Sequence, residues 1–424
     1  MALIAIILLL VFISLSVPIA ISIGLASMIG ILVDGQVPLL VAVQRIYNTL
    51  DSFPIMAIPF FILAGYLMEK GGISQRLVNL ANSFVGHMTG GLAMVAVLTS
   101  MFFAAISGSS AATTAAVGSI LIPAMVKRGY DIRFATSVTA SSGELGVIIP
   151  PSVPMILFGI VTQVSIGDMF IAGILPGILI GLTVMTLVFI ISKKNNYKGG
   201  EKSSWGERFT AFRKAFLALL MPFIILGGIY GGIFTPTEAA VVAVVYALIV
   251  GTLVYRDIKL KDVLPILKDS FVTSSIIMLI IGAAGIFTWV ISQEKIPQQL
   301  ANLFTTFTDN PLIFLLIVNV LLFIVGMFFE TGAGIVILAP ILTPIAMELG
   351  IDPVHFGIIM IVNLAMGMFT PPLGVNLFVA CQVANLRLEQ IMKPIIPFIL
   401  VVALDVLIIS YIPEITLWFK MISP

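Results

Sequence analysis

The sequence matches itself when displaced by 221 positions. Pro123 falls on Pro344, Gly129 on Gly350, Asp131 on Asp352, Gly146 on Gly367, Pro150 and Pro151 on Pro371 and Pro372, and Pro176 on Pro397, without a gap. A displacement of 223 also brings Ile73, Gln75, Leu77, Leu80 and Phe84 onto Ile296, Gln298, Leu300, Leu303 and Phe307. Irregular backbone at equivalent points of such a repeat is built twice. A long internal repeat in an apolar chain points to a transporter whose site lies between two related halves.

The solvent follows from composition. Hydrophobic residues make up 60% of the 424 residues and charged ones 10%, against about 25% charge in soluble domains, and the mean hydropathy is +1.19. Lipid is the medium that suits such a chain. Every backbone polar group in a bilayer core must be satisfied within the structure, and alternating strand patterns are absent, so the spans are helices. A net charge of +1 without a basic field argues against nucleic acid. Cys381 is the single cysteine, and His87 and His355 are far apart, so neither a disulfide framework nor a thiolate or histidine metal cluster is expected. No basic segment precedes the first apolar run, so 2–33 reads as one retained span and not a signal peptide.

Apolar stretches fall at about 2–33, 53–68, 89–126, 134–163, 168–192, 216–234, 236–255, 271–292, 311–347, 354–386 and 394–419. A crossing needs about 20 residues. The stretches 89–126 and 311–347 exceed that, and small polar residues interrupt each: Ser107-Gly108-Ser109-Ser110 and Glu330-Thr331-Gly332-Ala333-Gly334. Each reads as a hairpin that enters the membrane and turns back, or alternatively as two short crossings with a tight loop. The stretches 134–163 and 354–386 each hold a Pro-Pro pair in mid-span, and consecutive prolines break a helix. The polar segment 193–214 is rich in lysine and arginine, and the positive-inside rule makes it cytoplasmic. Each unit then crosses an odd number of times, and two connecting spans (216–255) make the second unit inverted. Residues 34–52 are amphipathic and suit the interface.

A broken helix offers free N–H groups to anions at one end and free carbonyls to cations at the other. Ser107, Ser109 and Ser110 beside the break from Gly143 to Pro151 offer oxygens of that kind. So does Thr331, with the backbone near Gly332, beside Gly367 to Pro372 and Thr370. Two related constellations predict two related cation sites; alternatively these small residues only let helices pack closely. Charge at membrane depth is scarce and usually functional. Glu144 and Glu330 are nearest the breaks, and each binds a coupling cation or holds its hairpin by hydrogen bonds. Thr235-Pro236-Thr237-Glu238 has the form of a capping box, a structural role. Asp405 has no evident partner. No G-x-x-x-x-G-K-[ST] nucleotide motif, Ser/His/Asp set or H-E-x-x-H occurs, so an enzyme is not expected.

The run Ser107-Gly-Ser-Ser-Ala, Gly129-Tyr-Asp131 with Phe134-Ala135, Ile149-Pro-Pro-Ser152, Gly231-Gly-Ile-Phe-Thr-Pro-Thr-Glu238-Ala-Ala, Gly350-Ile-Asp-Pro-Val-His-Phe-Gly357 and Thr370-Pro-Pro-Leu-Gly-Val-Asn376 resembles the large membrane subunit (DctM-like) of tripartite ATP-independent periplasmic (TRAP) transporters over nearly the whole chain. The resemblance implies an all-α polytopic protein of the bacterial inner membrane with an inverted repeat, two re-entrant hairpins, two Pro-Pro-broken helices and an elevator mechanism. It implies import of an organic acid (a C4-dicarboxylate, sialic acid or another sugar acid) coupled to Na⁺. The partners it implies are a small four-span membrane subunit and a periplasmic substrate-binding protein, with no other cofactor. By position, one sodium site comprises Ser107, Ser110, Gly143, Gly146, Val147 and Pro150. The other comprises Thr331, Gly332, Gly334, Gly367, Thr370 and Pro371. Substrate is expected near Ser107, Ser109, Ser152 and Asn376.

The expected organisation is a scaffold with arm helices (1–88), a first transport unit (89–163), scaffold spans (164–310), a second transport unit (311–386) and a terminal scaffold span (387–424). A stand-alone divalent-anion or citrate-type symporter and an ion-channel subunit are the alternatives.

Overall fold

The computed structural model describes residues 1–307 and 310–421; of the expected portions, 308–309 and 422–424 lie outside the described residues. No strand occurs among the described residues. Nine helices there are long and apolar enough to cross a membrane, and a bent pair makes a tenth. This is a multi-pass membrane protein.

The expected first span, 2–33, is instead two helices, α1 (Ala2–Ser14) and α2 (Ile19–Asp34). Ser16 takes φ +59°, and Pro18 cannot donate the bond that would continue α1. The two pack antiparallel: Gly30 lies so close to Met1 and Ala5 that a Cβ would sit 2.9 Å from the Met1 carbonyl, the small-residue packing that lipid-embedded helices use. The amphipathic segment contains α3 (Leu40–Leu50), with Leu40 and Tyr47 exposed. Then come α4 (Ala57–Lys70) and α5 (Ile73–Val85).

The first hairpin is α6 (Gly91–Ser107) and α7 (Ser110–Lys127), turned at Gly108 with φ +62°. The following span is broken as expected: α8 (Ile132–Gly143), a short α9 (Leu145–Ile148) and α10 (Val153–Thr162), with a cis Pro150–Pro151 bond between α9 and α10. Next come α11 (Ile166–Lys194), α12 (Trp205–Tyr230), α13 (Pro236–Ile249), α14 (Leu260–Gln293) and α15 (Ile296–Phe307). Much of the basic segment 193–214 is therefore helical, because Ser204 and Glu207 form a capping box that starts α12 at Trp205, well before the apolar stretch. Thr235 and Glu238 form the expected capping box on α13.

The same order then recurs. The hairpin α16 (Pro311–Phe328) and α17 (Thr331–Glu348) precedes a broken span, α18 (Pro353–Gly367) and α19 (Val375–Ala384), whose gap holds a cis Pro371–Pro372 bond. The last span is α20 (Met392–Tyr411).

Two sets of helix contacts stand out, and α5 on α6, α4 on α6 and α14 on α17 join them. In one, α4 lies on α13 and α14, α14 on α2 and α3, and α5 on α12. In the other the two units interlock: α10 packs on α17 and α19 on α7 and α8. Both α11 and α20, expected among the scaffold spans, also pack here, α11 on α6 and α18 and α20 on α8 and α18.

Candidate functional site

The two hairpin tips meet. Ser110 Oγ, in the first turn of α7, lies 3.4 Å from Met368 Sδ, and Thr331 Oγ1, in the first turn of α17, lies 2.9 Å from the same sulfur. Met368 sits at the end of α18, where the second broken span opens. A thioether is a weak, polarisable acceptor and serves as a soft joint between the tips.

The first tip also closes onto the first break. Ser107 Oγ lies 3.0 Å from Thr113 Oγ1, which lies 2.8 Å from the Ser109 carbonyl. Val153 N donates to the Gly108 carbonyl at 3.4 Å. A Cβ on Gly146 would lie 2.4 Å from Ser109 O and 2.5 Å from Thr113 Oγ1, and one on Gly143 would lie 1.8 Å from Thr114 Oγ1. The glycines thus let the broken span press its backbone against the first two turns of α7. Hydroxyls and carbonyls converge here with no fixed charge among them, a donor set that suits a hard monovalent cation.

The second constellation is poorer in oxygens. Gly367 lies against Gly326, where a Cβ would meet the Gly326 carbonyl carbon at 2.2 Å, and Gly334 lies against the Leu364 side chain. Gly332 faces Leu157 on α10, not its own break. Thr370 Oγ1 donates to the Met366 carbonyl at 2.8 Å. Pro150 and Pro371 each enter the cis bond of their break.

Of the residues expected near substrate, Ser107 and Ser109 line a narrow cavity of about 100 Å³, along with Gly65, Tyr66, Glu69 and Glu330. Val147 joins that wall, and its carbonyl accepts from Ser152 Oγ at 2.6 Å. Ser152 is fully buried, and its hydroxyl caps α10. A serine before a helix beginning Val-Pro is a natural N-cap. Asn376 is fully buried, and neither polar atom of its side chain has a partner among the described residues. Such a group requires a water, ion or ligand.

Long-range contacts bring in residues that the repeat alone did not single out. Tyr66 on α4 bonds Thr273 on α14 at 3.0 Å across one wall, and Glu69 and Met368 are added likewise. Thr113 follows Ser109 by one helical turn, so helical spacing was its available signal. Glu144 is fully buried, and among the described residues neither carboxylate oxygen has a partner, so it makes no hydrogen bond to its hairpin. Asp405 does have a partner, Thr183, with Oδ2 and Oγ1 2.5 Å apart.

With the fold and the tips in view, the comparisons are decisive. Residues 6–415 match the family described as tripartite ATP-independent periplasmic transporter, DctM component. The chain belongs to this family. It is 46% identical over 397 residues to the isethionate TRAP transporter permease protein DctMQ of Oleidesulfovibrio alaskensis, covering 93% of this chain and 62% of that one. It is 45% identical to the C4-dicarboxylate TRAP transporter large permease protein DctM of Pseudomonas aeruginosa, covering 88% and 87%. Identity to the sialic acid TRAP transporter large permease protein SiaM of Vibrio cholerae is 40%, covering 89% and 88%. In fold it is similar to the YdaH transporter of Alcanivorax borkumensis, with a TM-score of 0.65 at 15% identity, covering 90% of this chain and 88% of that one. As a DctM component, the chain is a membrane subunit of the bacterial inner membrane.

Proposed function

We propose that the chain is the large permease of a Na⁺-coupled importer of an organic acid. A periplasmic binding protein delivers the acid, and the chain works with a small four-span membrane subunit. The observation that carries this reading is the joining of both tips through Met368, beside a cavity lined by Ser107 and Ser109. The helix starts at Ser109, Val153 and Glu330 border that cavity, and helix N-termini favour anions. Yet Glu69 and Glu330 share its wall, without a lysine, arginine or histidine among the lining residues. An anion then enters favourably only with compensating cations, and coupled Na⁺ supplies them. The candidate Na⁺ oxygens are those of Ser107, Ser110 and Thr331 and the carbonyls near Gly146 and Gly367. Relatives carry names for isethionate, C4-dicarboxylates and sialic acid, which supports a carboxylate or sulfonate solute here.

Movement follows from the same packing. The interlocked hairpins and broken spans travel as one body against α4, α13 and α14, because dividing them would expose irregular backbone to lipid. The test is uptake in proteoliposomes holding both membrane subunits, with candidate acids presented on their binding proteins. Saturable uptake that requires Na⁺ and a binding protein supports the reading. Non-saturable flux would favour a channel, and uptake without a binding protein would favour a stand-alone symporter.

A further inference from the structure

We propose that Asp405 is a proton-binding site, carrying a resident proton that joins α20 to α11 through Thr183. Asp405 is 1% exposed in mid-span. Its Oδ2 lies 2.5 Å from Thr183 Oγ1, and that same hydroxyl lies 2.9 Å from the Ile180 carbonyl. A threonine hydroxyl has one proton to donate, while both neighbours are acceptors if Asp405 is ionised. If Asp405 is ionised, the two contacts share that one proton in a three-centre bond; if Asp405 carries a proton, it donates to Thr183, Thr183 donates to the Ile180 carbonyl, and each contact is a full hydrogen bond. The other oxygen, Oδ1, has no hydrogen-bond partner among the described residues. An ionised carboxylate in this position would have one donor for two oxygens, where buried charges need several.

The surroundings offer no cation in its place. The helices packed on α20 are α8, α11, α16 and α18. Their charged or titratable groups are Arg133, Asp168, Lys193, Lys194 and His355, all in terminal turns, and Glu144, at the end of α8. On α20 itself Lys393 and Tyr411 stand at the ends, and Glu389 lies in the turn before it. Glu144 is fully buried at the end of α8, which packs on α20, and brings no positive charge to this region. The proton comes from water and leaves the Asp405 position neutral. It is a link within the interlocked helices and lies away from the cavity at the tips, whose lining does not include Asp405.

Infrared difference spectroscopy of the purified two-subunit membrane complex at neutral pH tests this. The expected result is a protonated-carboxyl band that Na⁺ titration does not change and that disappears in Asp405→Asn. Thr183→Val, which keeps shape but removes the hydroxyl, should shift the same band to higher frequency. If Asp405→Asn does not fold, the Thr183→Val shift still decides the matter. Asp405→Asn can donate to Thr183 as the acid does, so Na⁺-dependent uptake should stay within about twofold of the parent. The inference is overturned if no band is lost in Asp405→Asn, if Thr183→Val leaves the band in place, or if Na⁺ erases it. Loss of uptake in folded Asp405→Asn would overturn the resident role, since a proton that must leave each cycle cannot be replaced by an amide. These band readings do not depend on which solute is carried or on which ion drives it.

Discussion

At the scale of single residues, the hydroxyls of the tips and the missing side chains of the breaks do different work. Ser110 and Thr331 each present one oxygen beside Met368. Losing one neutral oxygen contact is worth about 1 kcal/mol, so Ser110→Ala or Thr331→Ala should raise the Na⁺ concentration for half-maximal uptake roughly fivefold, read from Na⁺ titrations of initial rates. Gly146 is a steric matter. A methyl 2.4 Å from Ser109 O cannot be accommodated without moving the backbone of tip or break. Overpacking of this kind costs about 1–3 kcal/mol. Gly146→Ala should therefore abolish uptake while the complex still elutes as a folded assembly; a variant transporting at the parent rate would show that tip and break do not need this contact. Much of this was legible in the sequence, because the serine and glycine runs sit at duplicated places. Thr113 and Met368 were not singled out, since their roles depend on contacts that no local pattern encodes. The capping role of Ser152 was available from the sequence, as a serine before a helix that begins Val-Pro.

Elements were more legible where covalent chemistry breaks them. Consecutive prolines have no N–H to give, so both broken spans could be read directly, and the turns between α6 and α7 and between α16 and α17 showed as small polar residues cutting over-long apolar stretches. The α1–α2 hairpin was hidden because its turn, Leu15-Ser16-Val17-Pro18, is short and sits inside an otherwise apolar run. The start of α8 shows how the polar ends are fixed. Asp131 accepts from Arg133 N at 2.8 Å and from the Arg133 guanidinium at 2.8 Å and 3.1 Å, and its own N–H donates to Tyr197 Oη at 3.1 Å, bringing in the loop after α11. The Arg133 hydrogen bonds hold the Asp131 carboxyl below its ordinary range. A carboxylate with a depressed value in the folded state contributes stability above its unfolded value and loses that contribution as pH falls through the folded one. The cap should therefore persist through mildly acid pH and fail below the usual carboxylate range. Asp131→Ala should cost about 1 kcal/mol at neutral pH, seen as earlier thermal unfolding, and the difference from the parent should shrink in strong acid.

At the scale of the whole molecule, the proposed motion carries an interlocked body, with both hairpins and both broken spans, against a frame holding α4, α13 and α14. Ile280 on α14 and Ala333 on α17 line one cleft between them, whereas Gly118 on α7 and Val383 on α19 touch within the body. In a Cys381→Ser background, a short bifunctional thiol reagent joining cysteines at 280 and 333 should stop uptake, while one joining 118 and 383 should leave most of it. Full activity with the first bridge complete would mean that the two groups do not move past each other. The most direct measurement of the central claim is solute accumulation in proteoliposomes containing both membrane subunits and the loaded binding protein, with one imposed gradient at a time. An inward Na⁺ gradient should drive accumulation above equilibrium, with Ser110→Ala and Thr331→Ala both shifted to higher Na⁺, and a proton gradient without Na⁺ should not. Accumulation driven equally well without Na⁺, or unaffected by both substitutions, would contradict the assignment of the tips and breaks as the coupling sites.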